Sequence, residues 1–132
     1  MLSDASVQPM LPVKDLEVAK KFYEGPLGLK KAGEEPGAAV VYQSGGSTLC
    51  VYRSEFAGTN KGTAALWEVD DVEGTVAELR AKGVTFEHYD DLPEVVRKGD
   101  IHFAGDTIQV AWFKDPDGNI LSVQNKPARR PS

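Results

Sequence analysis

Two histidines, one cysteine and a few carboxylates carry the reactive chemistry open to this 132-residue chain. His88 lies in FEHYDD (86–91) beside Glu87, Asp90 and Asp91, the residue types that hold divalent metals through imidazole nitrogen and carboxylate oxygen. On an extended strand, adjacent Glu87 and His88 point to opposite faces and cannot chelate one ion together. The segment therefore reads as a solvated strand end and loop. His102 stands alone in DIHFAG, as a candidate acid–base group or ligand anchor, or else as a loop histidine. Glu68 falls near apolar Met10 and Leu66 by strand parity. Such a setting favours the protonated carboxyl and makes Glu68 a candidate general base; the alternative is a solvated strand-edge glutamate. Cys50 has no His–Asp partners close in sequence and reads as a small buried hydrophobe. The GG of QSGGS separates two strands rather than leading into a helix, so no phosphate-cradling loop is present.

Composition narrows the partners. The net charge of −5, with basic residues clustered only in the terminal KPARRPS, disfavours nucleic acid and anionic membrane, where contacts to phosphate dominate binding. No apolar run approaches the ~20 residues of a membrane helix, and MLSDASVQP lacks the basic start and apolar stretch of a signal peptide. A single cysteine forms no internal disulfide. The expectation is a cytoplasmic protein whose partners are small molecules or other proteins.

The elements that position these residues repeat. QPMLPV (8–13) reads as a strand, and DLEVAKKFYEG (15–25) as a helix with Asp15 as N-cap and Leu16, Ala19, Phe22 and Tyr23 on one face. AAVVYQS and STLCVYR form a hairpin about GG, with a further short strand near 29–32. After the linker 54–62 the order returns: AALWEV as strand, then DVEGTVAELRAKG as helix, with Asp71 as N-cap, Val72, Val76 and Leu79 inward, and Gly83 at C′. VTFEHYD, TIQVAWF and NILSVQN supply the remaining strands, and DPDGN makes the turn between the last two. The spacing predicts one domain over 1–132 built of two modules, about 5–53 and 63–126, with a flexible tail at 127–132. Parity places Leu11, Val13, Trp67, Val69, Leu121 and Val123 under the helices. Gln8, Met10, Ala64, Leu66, Glu68, Ile120, Ser122 and Gln124 take the other face, joined there by either Trp112 or Phe113.

LPVKDLEVAKKFYEGPLGLK, WEVDDVEGTVAELRAKGV and FKDPDGNILSV, in this order and spacing, resemble the vicinal oxygen chelate superfamily of glyoxalase I, bleomycin-resistance proteins and extradiol dioxygenases. The resemblance implies an α+β fold of two paired βαβββ modules whose curved sheets form a cup, often within a homodimer. It also implies four positions where family enzymes hold a divalent metal. Here they fall on Gln8, Leu49 (with Cys50 next in line), Ala64 and Ser122, of which only Gln8 is a ligand type in the family. Neutral amide and hydroxyl oxygens hold such ions poorly, so no metal cofactor is expected. The leading expectation is a metal-free, bleomycin-resistance-like protein that binds an apolar or planar molecule through Gln8, Met10, Leu49, Ala64, Leu66, Glu68, Trp112, Ser122 and Gln124. Two enzymatic readings stay open: a glyoxalase-like lyase, isomerase or dioxygenase with a relocated metal, and a metal-independent epimerase or lyase using Glu68 or His102.

Overall fold

The computed structural model describes residues 2–105 and 107–125; the expected tail at 127–132 lies outside them. Contacts group the chain into two compact units. One holds the described residues through 64 together with 115–119, and the other holds 65–114 with those from 120 onward.

In the first unit a short 3-10 turn (Leu2–Asp4) precedes β1 (Met10–Val13) and α1 (Leu16–Glu24). β2 (Lys30–Glu35), β3 (Ala39–Ser44) and β4 (Ser47–Arg53) follow. The expected N-cap is present: Asp15 Oδ1 accepts from the amides of Glu17 (2.9 Å) and Val18 (3.3 Å), two of the donors that a helix start leaves unsatisfied. The sheet runs β1-β4-β3-β2, with β1 and β4 parallel. Ser44 faces Ser47 across Gly45 and Gly46, the two-residue hairpin loop that GG predicts. Ala19 and Tyr23 of α1 are buried with Leu11, Val13, Val40, Tyr42 and Val51. The Tyr23 and Tyr42 rings stack at 5.9 Å, and the Tyr42 hydroxyl donates to Glu24 on α1 (2.8 Å).

Within this unit, residues 115–119 form more than a turn. Asp115, 4% exposed, accepts from the Tyr23 hydroxyl (2.8 Å) and from the side-chain amide of Asn119 (2.8 Å), which also donates to the Pro12 carbonyl (2.7 Å). A buried carboxylate is tolerable only when its lone pairs are matched in this way.

The second unit takes up β5 (Thr63–Val69), whose first two residues group with the first unit, and α2 (Val72–Ala81). Five strands complete it: β6 (Phe86–Glu87), β7 (Val95–Lys98), β8 (Ile101–Ala104), β9 (Ile108–Lys114) and β10 (Ile120–Asn125). Asp71 caps α2 by accepting from Gly74 N (3.0 Å), Val72, Val76 and Leu79 are buried, and Gly83 takes the left-handed conformation of a C′ residue (φ 97°). The sheet runs β5-β10-β9-β8-β7, and β6 pairs with β9 beyond the end of β8. VTFEHYD thus yields a strand of only two residues, while β7 and β8, which form a hairpin, went unpredicted in VVRKGDIHFA. Charges at Arg97, Lys98 and Asp100 conceal the alternation, because Lys98 is exposed while Arg97 and Asp100 find partners outside the hairpin, in Asp90 and in Arg80 and His88. The architecture is the expected α+β arrangement of helix-and-sheet modules. Among the described residues no helix is long and apolar enough to cross a membrane.

Candidate functional site

The residues of interest lie on the sheet faces opposite the apolar layers. In the second unit, Ala111, Phe113, Leu121 and Val123 form the apolar layer, each no more than 3% exposed. Phe113 meets Phe86 edge-on at 5.6 Å and stacks with Trp67 at 6.5 Å, so Trp67 belongs to the core side as parity predicted. The ambiguity between Trp112 and Phe113 is thereby resolved. Trp112 pairs across the ladder with Ser122, and both take the other face together with Val110, Gln124 and His102.

His102 is the feature that sequence reasoning undervalued. It lies on β8, not in a loop, and is fully buried. Its ring meets Trp112 edge-on at 4.8 Å, and Tyr89 closes the group at 5.3 Å from Trp112 and 5.9 Å from His102. The Tyr89 backbone N–H donates to His102 Nε2 (2.9 Å). Nε2 is therefore the acceptor and the neutral ring carries its proton on Nδ1. Nδ1 is buried and makes no hydrogen bond among the described residues; the Val110 backbone lies near enough to exert a pull but not in bonding geometry. Burial pushes the His102 pKa below the usual histidine value, Arg97 and His88 add to this, and Val110 and Asp90 oppose it. The ring is thus a neutral strut rather than a base, because the lone pair a base would use already receives the Tyr89 amide.

The segment after β6 is tied down at three successive residues. His88 Nε2 meets Asp100 Oδ1 (2.8 Å), Tyr89 N meets His102, and Asp90 accepts twice from Arg97 (2.7 and 3.2 Å). Asp100 also accepts from Arg80 (2.7 Å), and Glu87 pairs with Lys114 (3.6 Å). Glu87 and Asp90 are thus taken up by separate cations and His88 by a carboxylate, and among the described residues no three His, Cys, Asp or Glu side chains gather as a metal site. Tyr89 was not singled out in the sequence; only its place beside His88 and Asp90 could have pointed to it.

In the first unit, Gln8 donates to Thr48 Oγ1 (2.8 Å), and Met10 is 52% exposed. Leu49 requires a correction. It pairs with Tyr42 and shares the buried face of Leu11 and Val51, so it belongs under α1. Cys50, which registers with Met10, takes the opposite face. Its thiol is buried, and burial pushes its pKa up, away from the nucleophilic thiolate. Ala64 is half-buried, Leu66 and Glu68 are exposed on β5, Gln124 is half-buried, and Ser122 is 2% exposed. Glu68 therefore lacks the apolar enclosure that a general-base role required. With Cys50 in place of Leu49 on that face, the inherited positions offer one amide, one thiol, one hydroxyl and one side chain without a donor, with none of the imidazole or carboxylate groups that hold a first-row divalent ion best.

Paired helix-and-sheet modules, with the turn 115–119 set into the first of them, define a class of small α+β proteins. The chain belongs to the Glyoxalase/Bleomycin resistance protein/Dioxygenase superfamily, whose family model matches residues 6–123. Among solved structures it is similar to a lactoylglutathione lyase from Agrobacterium tumefaciens (20% identity over 92% of this chain and 93% of that one, TM-score 0.66). It is also similar to a bleomycin-binding protein complexed with bleomycin (20%, 92% and 98%, TM-score 0.68). An antibiotic-binding protein from Streptomyces sp. CB03234 gives 23%, 92% and 97%, with a TM-score of 0.64. No curated protein sequence matches the chain.

Proposed function

We propose that the chain binds a small, planar, largely apolar molecule without transforming it, as a metal-free member of its superfamily that acts by sequestration. The observation that carries this reading is the cluster of Trp112, Tyr89 and His102 beside Ser122 and Gln124. It combines the half-buried aromatic surface of Trp112 and Tyr89 for stacking with the half-buried amide of Gln124, while His102 and Ser122 are buried within the cluster. His102 adds to it by holding Tyr89 in place through the backbone rather than by proton transfer. Similarity to a bleomycin-binding protein and to an antibiotic-binding protein supports the ligand class. The reading includes a homodimer in the cytoplasm, with exposed Met10 and Leu66 available to ligand or partner.

The experiment is equilibrium binding of a panel of planar aromatic antibiotics, followed by Trp112 fluorescence in a Trp67→Phe background with and without EDTA. The expected result is saturable quenching that EDTA leaves unchanged and recovery of the compound intact. Turnover of any member of the panel, or activity restored only by a divalent metal, refutes the reading. Sedimentation at several concentrations tests the dimer.

A further inference from the structure

The first unit carries a cavity built from none of the residues discussed above. It has a volume of about 670 Å³ and is lined by Lys14, Arg53, Ser54, Glu55 and Phe56. A second, of about 560 Å³, shares Lys14 and Arg53 and borders the first turn of α1 at Asp15, Leu16 and Glu17. The backbone brings the two cations together. Val13 registers with Arg53 at the end of the parallel β1–β4 pair, and Ser54 N continues the ladder to Val13 O (2.9 Å). Lys14 and Arg53 thus leave neighbouring strand ends, Arg53 on the face of Val13 and Val51 that packs against α1.

Their charges are unmatched. Nearby Lys20 pairs with Glu17 (3.0 Å) and Glu34, and Lys31 pairs with Glu34 (2.7 Å), whereas among the described residues no carboxylate lies in salt-bridge reach of Lys14 or Arg53. In the first cavity two cations face the single lining carboxylate of Glu55, one positive charge in excess, while in the adjoining cavity Glu17 and Glu34 are taken by Lys20 and Lys31 and Asp15 caps α1. The loop that follows holds an apolar surface beside them. Phe56 N donates to Ser54 Oγ (3.1 Å), Thr59 Oγ1 donates to Phe56 O (2.7 Å), and Ala57 is buried as the anchor. This hydrogen-bonded loop leaves the Phe56 ring 73% exposed at the cavity.

We infer that this cavity is a second binding site, for a small aromatic carboxylate whose anionic group sits between Lys14 and Arg53 and whose ring lies on Phe56. The planar fork of Arg53 matches a carboxylate bidentately, and the excess of one charge suits a monoanion better than a phosphate dianion facing Glu55. The site stands independently of the ligand proposed for the Trp112 face.

Titration of the full ¹⁵N-labelled chain with benzoate, read by amide NMR shifts, tests it, with acetate and inorganic phosphate at matched ionic strength as controls. Saturable shifts confined to Lys14, Arg53, Ser54 and Phe56 are expected, with acetate binding more weakly for want of the ring. Arg53→Gln should weaken benzoate about tenfold or more, the loss of a charge-assisted pair. Lys14→Gln should act in the same direction, and Phe56→Ala should bring benzoate down to the level of acetate. Non-saturating shifts, benzoate affinity unchanged in both Arg53→Gln and Lys14→Gln, or phosphate bound more tightly than benzoate each overturn the assignment. Antibiotic binding at Trp112 should be the same in Arg53→Gln as in the parent, so failure at one site is read separately from failure at the other.

Discussion

Asp115→Asn removes one negative charge and almost no volume, yet the packing around Asp115 makes it a severe change. Oδ1 accepts from the backbone amides of Asp117 (3.0 Å) and Asn119 (2.8 Å), and Oδ2 accepts from the Tyr23 hydroxyl and from Asn119 Nδ2 (both 2.8 Å). Burial and the adjacent carboxylate hold the Tyr23 pKa far above its usual value, so its hydroxyl is a donor at every working pH. The backbone amides cannot turn away, so the oxygen of the new asparagine stays on them and its NH₂ replaces Oδ2. Tyr23 can rotate its hydroxyl to accept from that NH₂. The Asn119 side chain is left with one N–H facing another donor, its second being engaged by Pro12 O (2.7 Å). One lost charge-assisted bond costs about 1.5–3 kcal/mol and an orphaned buried donor about 1–3, which together suggest about 3–5 kcal/mol. For a chain of this length that corresponds to a fall in Tm of roughly 10–20 °C. Urea denaturation of Asp115→Asn, Tyr23→Phe and the double variant measures it. The double variant should lose less than the sum of the singles, because both act on one hydroxyl–carboxyl contact. A loss below about 1 kcal/mol for Asp115→Asn, or strict additivity with Tyr23→Phe, would show that the network does not hold the turn.

Gly58→Ala should destabilise more than Gly37→Ala. Both glycines have positive φ (80° and 76°), but a Cβ at Gly58 would collide with the Asp117 carbonyl oxygen while Gly37 has open space; equal losses in thermal unfolding would refute this. Because the folded-state pKa of His102 is depressed, its contribution to stability should be complete above the unfolded value of about 6.5 and decline as pH falls below it. His102→Gln does not titrate, so the stability gap between the parent and this variant should be constant from pH 8 to about 6.5 and narrow towards pH 5. A gap independent of pH would mean that protonation of His102 is not coupled to folding, and the comparison cancels His88, which pairs with Asp100 in both proteins. Trp112→Ala should weaken binding of a planar ligand about tenfold or more and also lower Tm by several degrees, since it removes the edge-on contacts with His102 and Tyr89; binding competition and a melting curve separate the two effects.

Local chemistry was legible in the chain wherever a rule needs only nearby residues. Asp15 and Asp71 cap their helices, Gly83 closes the second, GG turns the first hairpin, and the alternation of β1 and β10 sorted Leu11, Val13, Leu121 and Val123 from Met10 and Ser122. These depend on backbone geometry and on the two-residue period of a strand, both present in the sequence. The order of the motifs also sufficed to identify the superfamily. What escaped it depends on pairing between distant segments. Leu49 and Cys50 are neighbours, and only the register of β4 against β1 and β3 turned Cys50, not Leu49, away from α1. His102 read as a loop residue because the charges of VVRKGD mask a hairpin that is stabilised by pairing with β9. DPDGN read as a simple turn, although Asp115 is matched by Tyr23, 92 positions earlier in the chain. The pairing of Lys20 with Glu34, beside which Lys14 and Arg53 have no carboxylate in salt-bridge reach among the described residues, is likewise a contact across 14 positions. Periodicity tells which way a side chain points, but register and long-range contact decide what it meets there, and binding depends on what it meets.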